Sequence, residues 1–184
     1  MTELKLRLYD NDKDFEAIRN WVIDERTHAM WCANLFNYPL DKNNVAEVLA
    51  FAYEKYGDRP FILTTADGEL ACFLCFSLKK ENKEVMLKFI VVNPEFRGKG
   101  IAQEMLKTVR EYIFTNTEAE LVQLMVFPEN IRAKKCYEKA GFTERSLTEN
   151  AFNYKDESWG RCNMIFRKTA SDVEADPVER KNKK

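Results

Sequence analysis

The hydrophobic pattern of the first sixty residues predicts one strand followed by two helices. Residues 4–8 alternate between apolar and polar positions, which is typical of a strand. Apolar residues then recur at helical spacing over about residues 15–22 and 45–56, and each segment predicts an amphipathic helix. Between them, residues 28–36 are rich in aromatic side chains without a clear period, so we interpret this segment as a loop or a broken helix. The candidate helix caps are Asp12 or Asp14 for the first helix and Asn43-Asn44 for the second.

Short apolar runs in the middle of the chain predict strands. Three runs, at residues 61–65, 70–78 and 85–92, are separated by the hairpin signal Asp67-Gly68 and by a polar turn, and they predict three successive antiparallel strands. A fourth run at residues 121–127 is apolar on both faces, so we expect it inside the sheet.

Two further helices and a closing pair of strands complete the pattern. One helix follows the third run, over about residues 101–113, and a shorter one spans about residues 133–140. Residues 142–166 predict a pair of strands around a polar turn. The tail at residues 169–184 has little apolar content and clustered charge, so we expect it to be disordered and the folded domain to span residues 1–168.

The stretch from Val91 to Ala102 joins the third predicted strand to a helix through a loop with two glycines and two cations. Gly98 and Gly100 allow the backbone to turn tightly and to approach a ligand closely. The first N–H groups of the following helix have no intrahelical acceptor and lie at the positive end of the helix dipole. Together with Arg97 and Lys99 they predict a site for an anionic group, above all a phosphate.

Composition and charge narrow the function classes. The chain has 184 residues, 45% of them hydrophobic, which fits one globular domain. Its 29 basic and 30 acidic residues give a net charge of −1 and no electrostatic reason to expect nucleic acid or an acidic membrane as a partner. No apolar window approaches the roughly 18 to 20 residues needed to span a bilayer, and the first residues lack the apolar core of a signal peptide. We therefore expect a cytoplasmic protein.

The cysteines and the histidine give no sign of a metal or disulfide site. Five scattered cysteines make a poor disulfide framework. Cys72 and Cys75 form a C-x-x-C, but strand alternation aims them at opposite faces and no second pair completes a zinc site, so we interpret them as core thiols. His28 is the single histidine, which excludes a histidine-based metal cluster. We expect no metal.

The loop sequence Arg97-Gly98-Lys99-Gly100-Ile101-Ala102 resembles the acyl-CoA pyrophosphate loop of the GNAT N-acetyltransferases, in which Gln or Arg is followed by two residues, Gly, one residue, and Gly or Ala. Asn93-Pro94 precedes the loop at the usual place. A second cofactor element of the family is matched by Asn130, Ala133, Tyr137, Gly141 and Phe142. The order of strands and helices also agrees over residues 4–166. The resemblance implies an α/β (mixed α+β) fold with a central, mostly antiparallel, splayed mixed sheet of about six to seven strands and about four flanking helices.

The resemblance also implies how acetyl-CoA binds as the donor co-substrate. Pantetheine would lie in the split of the sheet and bond to the backbone of the strand that ends near Val92. The pyrophosphate would lie on the amides of residues 98–102, with Asn130 across the split. The cofactor-binding residues implied in this way are Ile90, Val91, Val92, Arg97, Gly98, Lys99, Gly100, Ile101, Ala102, Asn130 and Ala133.

The same resemblance implies the outline of the reaction. An unprotonated amine attacks the thioester in a ternary complex, and a backbone N–H near Val92 stabilises the oxyanion. Tyr137 matches the family's tyrosine that protonates the CoA thiolate, and the alternative for it is core packing with a satisfied hydroxyl.

The general base is not identified by the sequence. Histone-type members carry a glutamate where this chain has Met86, which cannot accept a proton. Asp24, Glu25 and Asp41 lie in segments that form the acceptor side in related enzymes, but the sequence does not rank them, and a solvated acidic surface explains each of them as well.

The acceptor is the least determined part of the prediction. Aromatic residues cluster in the variable segments and suit either an amine cation or an apolar side chain: Trp21, Trp31, Phe36, Tyr38, Phe152, Tyr154 and Trp159. We expect an enzyme that moves an acetyl group from acetyl-CoA to a primary amine of a small molecule or amino-acid-like acceptor. The alternatives are a protein N-terminal acetyltransferase and a non-catalytic acyl-CoA-binding regulatory module. We expect no nucleic acid or membrane partner and leave a homodimer open.

Overall fold

The computed structural model describes residues 3–169. Within that range the strands are β1 (Lys5–Leu8), β2 (Asp58–Thr64), β3 (Leu70–Ser77), β4 (Glu84–Val92), β5 (Leu121–Val126), β6 (Thr143–Tyr154) and β7 (Glu157–Arg167). The helices are α1 (Asn11–Trp21), α2 (Glu25–Cys32), α3 (Lys42–Tyr56), α4 (Ile101–Asn116) and α5 (Ile131–Lys139), with a short 3₁₀ helix at Pro94–Phe96. The predicted disordered tail lies outside the described residues from position 170 onward, so its disorder stays a prediction.

The strands form one open mixed sheet in the order β1-β2-β3-β4-β5-β7-β6. Neighbouring strands are antiparallel except β4 and β5, which run parallel. The predicted fold class and the antiparallel β2-β3-β4 succession are confirmed. The described residues contain five α-helices where the sequence predicts about four.

Two hydrophobic cores lie on opposite faces of the sheet. One contains Met105 and Val109 of α4, and the other contains Phe15 of α1 and Leu49 of α3. Each fully buried side chain of this size stabilises the fold by about 1.5–3 kcal/mol. The sheet is therefore held between a layer of α4 and α5 and a layer of α1, α2 and α3.

The additional helix is α2, which lies in the segment interpreted from the sequence as a loop or a broken helix. It is only eight residues long, is capped by Asp24 and ends at Ala33 in the left-handed conformation. An ion pair between Arg26 and Glu157 links α2 to β7, and the α2 residue His28 is almost fully buried. A short helix held mainly by such tertiary contacts needs no regular hydrophobic period, which is why periodicity misses it.

The predicted caps are wrong by a few residues. Asp10, not Asp12 or Asp14, caps α1, and the buried Asp14 instead accepts two hydrogen bonds of 2.7 Å from Arg7. Asp41, rather than Asn43-Asn44, caps α3. All of these side chains are chemically able to cap, so only the entry angle of the chain selects among them.

The C-x-x-C pair occupies the two faces of β3. Cys72 packs in the core with α4, Cys75 packs in the core with α1 and α3, and the cysteines are all unpaired thiols. Opposite orientation is therefore confirmed. Between residues 3 and 169 no group of three or more His, Cys, Asp or Glu side chains is placed to hold a metal ion. None of the helices in this range is long and apolar enough to cross a membrane.

Candidate functional site

The sheet splits between its two parallel strands. Pairing of β4 with β5 runs from Glu84 opposite Leu121 to Leu87 opposite Leu124 and goes no further. Strand β5 continues to pair with β7 as far as Val126, while the last residues of β4 stay paired with β3. A gap therefore opens at the carboxyl ends of β4 and β5, where the predicted split lies.

A β-bulge shapes the edge of β4 along this gap. Phe89 and Ile90 together face the single residue Leu74 of β3, and Phe89 has φ +51°. The bulge bends the strand and re-aims the backbone that follows it.

The backbone of Val92 is directed into the split. The Asn93 N–H donates to the Ala71 carbonyl at 2.9 Å, so the next pair along the ladder, Val92 opposite Cys72, is not hydrogen-bonded. The N–H and carbonyl of Val92 therefore point away from β3. The carbonyl accepts a hydrogen bond of 3.2 Å from Arg97 Nε, which leaves the N–H as the group available to a ligand.

A groove of about 870 Å³ passes through the split. Tyr137 and all the predicted cofactor-binding residues except Lys99 line it. The Lys99 ammonium instead lies 5.8 Å from the centre of the Phe96 ring. The structure thus brings together residues of β4, the glycine loop and α5. The two most distant of them in the chain, Ile90 and Tyr137, are 47 positions apart.

The glycine loop presents unpaired amides to the groove. Gly98 and Gly100 have φ +80° and +82°, and a Cβ built on either would meet no atom within 4 Å. Gly100 caps α4 without a side-chain hydrogen bond. Within residues 3–169 the N–H groups of Gly98, Gly100, Ile101 and Ala102 have no acceptor. This is the backbone arrangement that binds phosphate at a helix N-terminus.

Arg97 fastens the loop to the rest of the fold. Besides its bond to Val92, its guanidinium donates to the Trp21 carbonyl at 3.2 Å, at the end of α1. Burial lowers the pKa of Arg97 below that of a free guanidinium, with a smaller contribution from the nearby charge of Arg132. The side chain remains charged at neutral pH and adds positive potential beside the amides.

Three cations on α5 were missed by the sequence reasoning. Arg132, Lys135 and Lys139 line the groove, and their spacing of three and four residues places them on one face of the helix. Within the described chain no carboxylate forms an ion pair with any of them. The groove lining described between residues 3 and 169 contains six basic residues and no acidic one. In the sequence, basic residues at helical spacing after Asn130 would have predicted these three cations.

Tyr137 and Asn130 hold defined positions on α5. Tyr137 packs against Phe142, with ring centroids 6.2 Å apart, and no hydrogen bond among the described residues holds its hydroxyl. Burial raises the pKa of Tyr137 well above 10, with a smaller effect of Cys136, so the hydroxyl is protonated at neutral pH. The Asn130 side-chain oxygen accepts from the Ala133 N–H at 3.2 Å, which leaves its NH₂ group for a ligand.

The other mouth of the groove is largely apolar. It is lined by α2 and the following loop and by side chains of β4, β5 and β7, among them Met30, Trp31, Leu35, Met86, Phe89, Met125, Phe127 and Arg161. Of the seven clustered aromatics, Trp31 alone lines the groove. Trp21 and Phe36 are core residues, and Tyr154 and Trp159 pack with Phe127 in a small cluster that includes Ala29 of α2.

The acidic candidates for a base have structural partners instead. Asp24 and Asp41 cap α2 and α3, and two hydrogen bonds from Thr27 lower the pKa of Asp24. Glu25 pairs with Lys155 at 2.8 Å. None of the three lines the groove.

A split sheet with an amide-rich loop at a helix N-terminus is an arrangement that suits a long ligand with a phosphate end and an amide arm, as acyl-CoA is. The model of the acetyltransferase (GNAT) family matches residues 15–142. The chain therefore belongs to that family, which confirms the sequence resemblance.

Individual relatives are similar over parts of the chain. A kanamycin resistance protein of Rhizobium radiobacter is 32% identical over 83 residues, which are 45% of this chain and 76% of the relative. An aminoglycoside N(6')-acetyltransferase of Klebsiella pneumoniae is 36% identical over 53 residues, 29% of this chain and only 26% of the relative. The structure of spermidine N-acetyltransferase from Vibrio cholerae in complex with CoA and spermine superimposes with a TM-score of 0.73 at 22% identity, covering 89% of this chain and 95% of that one. This last similarity is one of fold.

Proposed function

We propose that this enzyme transfers the acetyl group of acetyl-CoA to the primary amine of a small molecule or amino-acid-like acceptor, by direct attack in a ternary complex. The observation that carries the proposal is the groove through the split sheet. It offers unpaired amides and cations at one mouth and an apolar opening at the other. A donor and an acceptor entering from opposite mouths would meet inside the sheet, which is what direct transfer requires.

The phosphate end of the donor would bind at the glycine loop. The amides of residues 98–102 would take the pyrophosphate, and Arg132, Lys135 and Lys139 would attract the remaining phosphate charge. The pantetheine amides would bond to the free backbone groups along the edge of β4, above all the Val92 N–H. Asn130 would donate from the opposite side of the split.

The reaction itself needs placement and one proton donor. The amine nitrogen forms a bond to the acetyl carbon, the C–S bond breaks, and the Tyr137 hydroxyl gives its proton to the departing thiolate. The Val92 N–H is the candidate donor to the oxyanion that develops between these steps. Because no carboxylate lines the groove among residues 3–169, an ammonium group loses its first proton to solvent before the attack. The proton that the nitrogen loses as the amide forms balances the one that Tyr137 gives to the thiolate.

The names of the relatives favour a small acceptor over a protein N-terminus. The names of three relatives mention kanamycin, an aminoglycoside and spermidine, respectively, and all of these compounds are small amines. The main alternatives are a protein N-terminal acetyltransferase and a non-catalytic acyl-CoA-binding module.

The test combines CoA binding with thiol release. Calorimetry with CoA measures the donor site, and a thiol-reactive dye measures free CoA released from acetyl-CoA in the presence of a panel of small amines and short peptides. We expect CoA to bind and at least one small amine to release thiol faster than any peptide. Binding without release by any amine supports the binding module, and faster release by a peptide supports the N-terminal acetyltransferase. Failure of CoA to bind removes the proposal.

A further inference from the structure

We propose that the acceptor carries an anionic group next to an apolar body, as an apolar amino acid does, and that Arg161 recognises the anionic group. This inference rests on the proposed function and concerns the mouth of the groove opposite the phosphate site. Four observations support it: the face on which the side chains lie, the apolar surface, the sign of the charge and an unpaired indole N–H.

The first observation is the face of the sheet. Leu87, Leu124 and Cys162 belong to the core shared with α4. Side chains alternate along a strand, so their neighbours Met86, Met125 and Arg161 face the opposite side, the side of α2. Because these residues also line the groove, they form the mouth through which an acceptor would enter.

The second observation is the apolar character of this mouth. Its side chains include Met30, Trp31 and Phe89, and its exposed members Leu35 and Met125 keep 60% and 46% of their surface accessible. Exposed apolar side chains around a concave site favour a ligand with an apolar body. A polyamine, whose charges recur every few carbon atoms, would lose hydration here without gaining a partner.

The third observation is the charge. Arg161 is exposed, and no acidic side chain among residues 3–169 forms an ion pair with it. The carboxylates of the surrounding elements are engaged elsewhere, since Glu84 pairs with Arg145 at 3.0 Å and Glu157 pairs with Arg26. Glu129 is not part of the lining; one of its carboxylate oxygens accepts a 3.4 Å hydrogen bond from the Gly160 N–H, and the other is buried without a partner among the described residues. The charged side chain that lines this mouth on β7 is therefore the cation Arg161, which favours an anionic group on the acceptor.

The fourth observation is an unpaired donor. The indole N–H of Trp31 is buried and has no hydrogen-bond acceptor among the described residues. A buried N–H without an acceptor is costly, and an oxygen of a bound carboxylate is a suitable partner. Trp31 and Arg161 both line the groove, and the proposal takes the indole N–H as a second donor to the carboxylate of the acceptor.

The test compares amino acids with their amides. L-leucine and L-leucinamide share one body, but the amide lacks the negative charge and has the more readily neutralised amine, so reactivity alone favours the amide. We expect kcat/KM for L-leucine to exceed that for L-leucinamide by at least about tenfold, or about 1.4 kcal/mol, and the same for L-phenylalanine against its amide. Spermidine should react more slowly than either amino acid.

The variants locate the effect. Arg161→Gln should bring the leucine to leucinamide ratio close to one and leave KM for acetyl-CoA unchanged. Arg167→Gln removes an exposed arginine from the same strand outside the groove and should leave the ratio unchanged.

Several results would overturn this inference while leaving the proposed function intact. One such result is that the protein binds CoA but turns over leucinamide or spermidine as fast as leucine. Another is that the ratio of kcat/KM for leucine to that for leucinamide is unchanged in Arg161→Gln. Turnover of none of the five compounds by a CoA-binding protein also contradicts it. Absence of CoA binding is a different result, because it removes the proposed function itself.

Discussion

Gly100 has a positive φ and open space in front of its Cα. We therefore expect a substitution at Gly100 to weaken CoA binding more than it weakens folding. In Gly100→Ala the left-handed conformation costs about 1–2 kcal/mol of folding free energy. The new Cβ enters the open space in which we place the phosphate, and loss of one charge-assisted hydrogen bond weakens CoA binding by about tenfold or more. Calorimetry with CoA measures the affinity. Gly68→Ala is the matched control, because Gly68 has φ +86° and equally open surroundings in the β2–β3 turn. An equal loss of CoA affinity in both variants would contradict the assignment.

Tyr137 is distinguished from a packing residue by its hydroxyl. Tyr137→Phe keeps the ring against Phe142 and removes only the proton donor. We expect kcat to fall on the order of 10²-fold, with the CoA dissociation constant and the melting temperature nearly unchanged. Steady-state thiol release and calorimetry give the two numbers. Tyr112→Phe removes the hydroxyl of a tyrosine packed against the same core and should leave kcat unchanged. A Tyr137→Phe enzyme with full kcat would assign this residue to packing.

His28 makes the stability of the fold sensitive to pH. Burial lowers its pKa below 6.5, partly offset by the Asn34 side chain 3.3 Å away. Below about pH 6.5 the unfolded chain binds a proton that the folded chain does not, so the free energy of unfolding falls as the pH falls. Urea unfolding between about pH 7 and pH 5.5 measures this slope. In His28→Gln the slope should disappear, because His28 is the single histidine of the chain. A slope that persists in this variant would exclude His28 as its cause.

At the scale of the element, α5 brings a row of cations to the phosphate mouth of the groove. Arg132, Lys135 and Lys139 lie at the surface, where each charge contributes up to about 1 kcal/mol. The triple Gln variant should therefore bind CoA about tenfold or more weakly and show a smaller dependence of the affinity on salt. Calorimetry at two salt concentrations checks both effects. Lys107→Gln on α4 is the control for an exposed lysine outside the groove. An unchanged affinity in the triple variant would place the phosphates elsewhere.

The helix α2 shows how an element escapes sequence reasoning. Its cap Asp24 and its buried residues His28, Ala29 and Cys32 are visible in the sequence, but this buried face is only about one turn long and includes a histidine, while the apolar Met30 and Trp31 lie outside it. The long helix α4 is different, since its stripe of Ile101, Met105 and Val109 spans several turns and predicts the helix from the sequence. Long periodic elements are therefore predictable, and a short helix held by an ion pair to a distant strand is not.

At the scale of the molecule, a ligand bound in the split should hold the two halves of the sheet together. CoA at 100 times its dissociation constant stabilises the folded state by about 2.7 kcal/mol, which corresponds to about 5–10 °C in melting temperature for a domain of this size. Differential scanning calorimetry with and without CoA measures the shift. Gly100→Ala should show a smaller shift at the same CoA concentration. No shift at saturating CoA would contradict a donor site in the split.

The sequence by itself determined the strands and the helices other than α2, because turn chemistry and hydrophobic period act over short distances along the chain. Its resemblance to the family indicated the glycine loop and the second element at Asn130 and Tyr137. The tertiary structure alone decided three things. It ended the β4–β5 pairing after Leu87, it set Arg132, Lys135 and Lys139 beside the loop, and it placed Arg161 and Trp31 at the opposite mouth. These residues are far apart in the chain, and their proximity depends on how two cores pack against one split sheet, which no local pattern encodes.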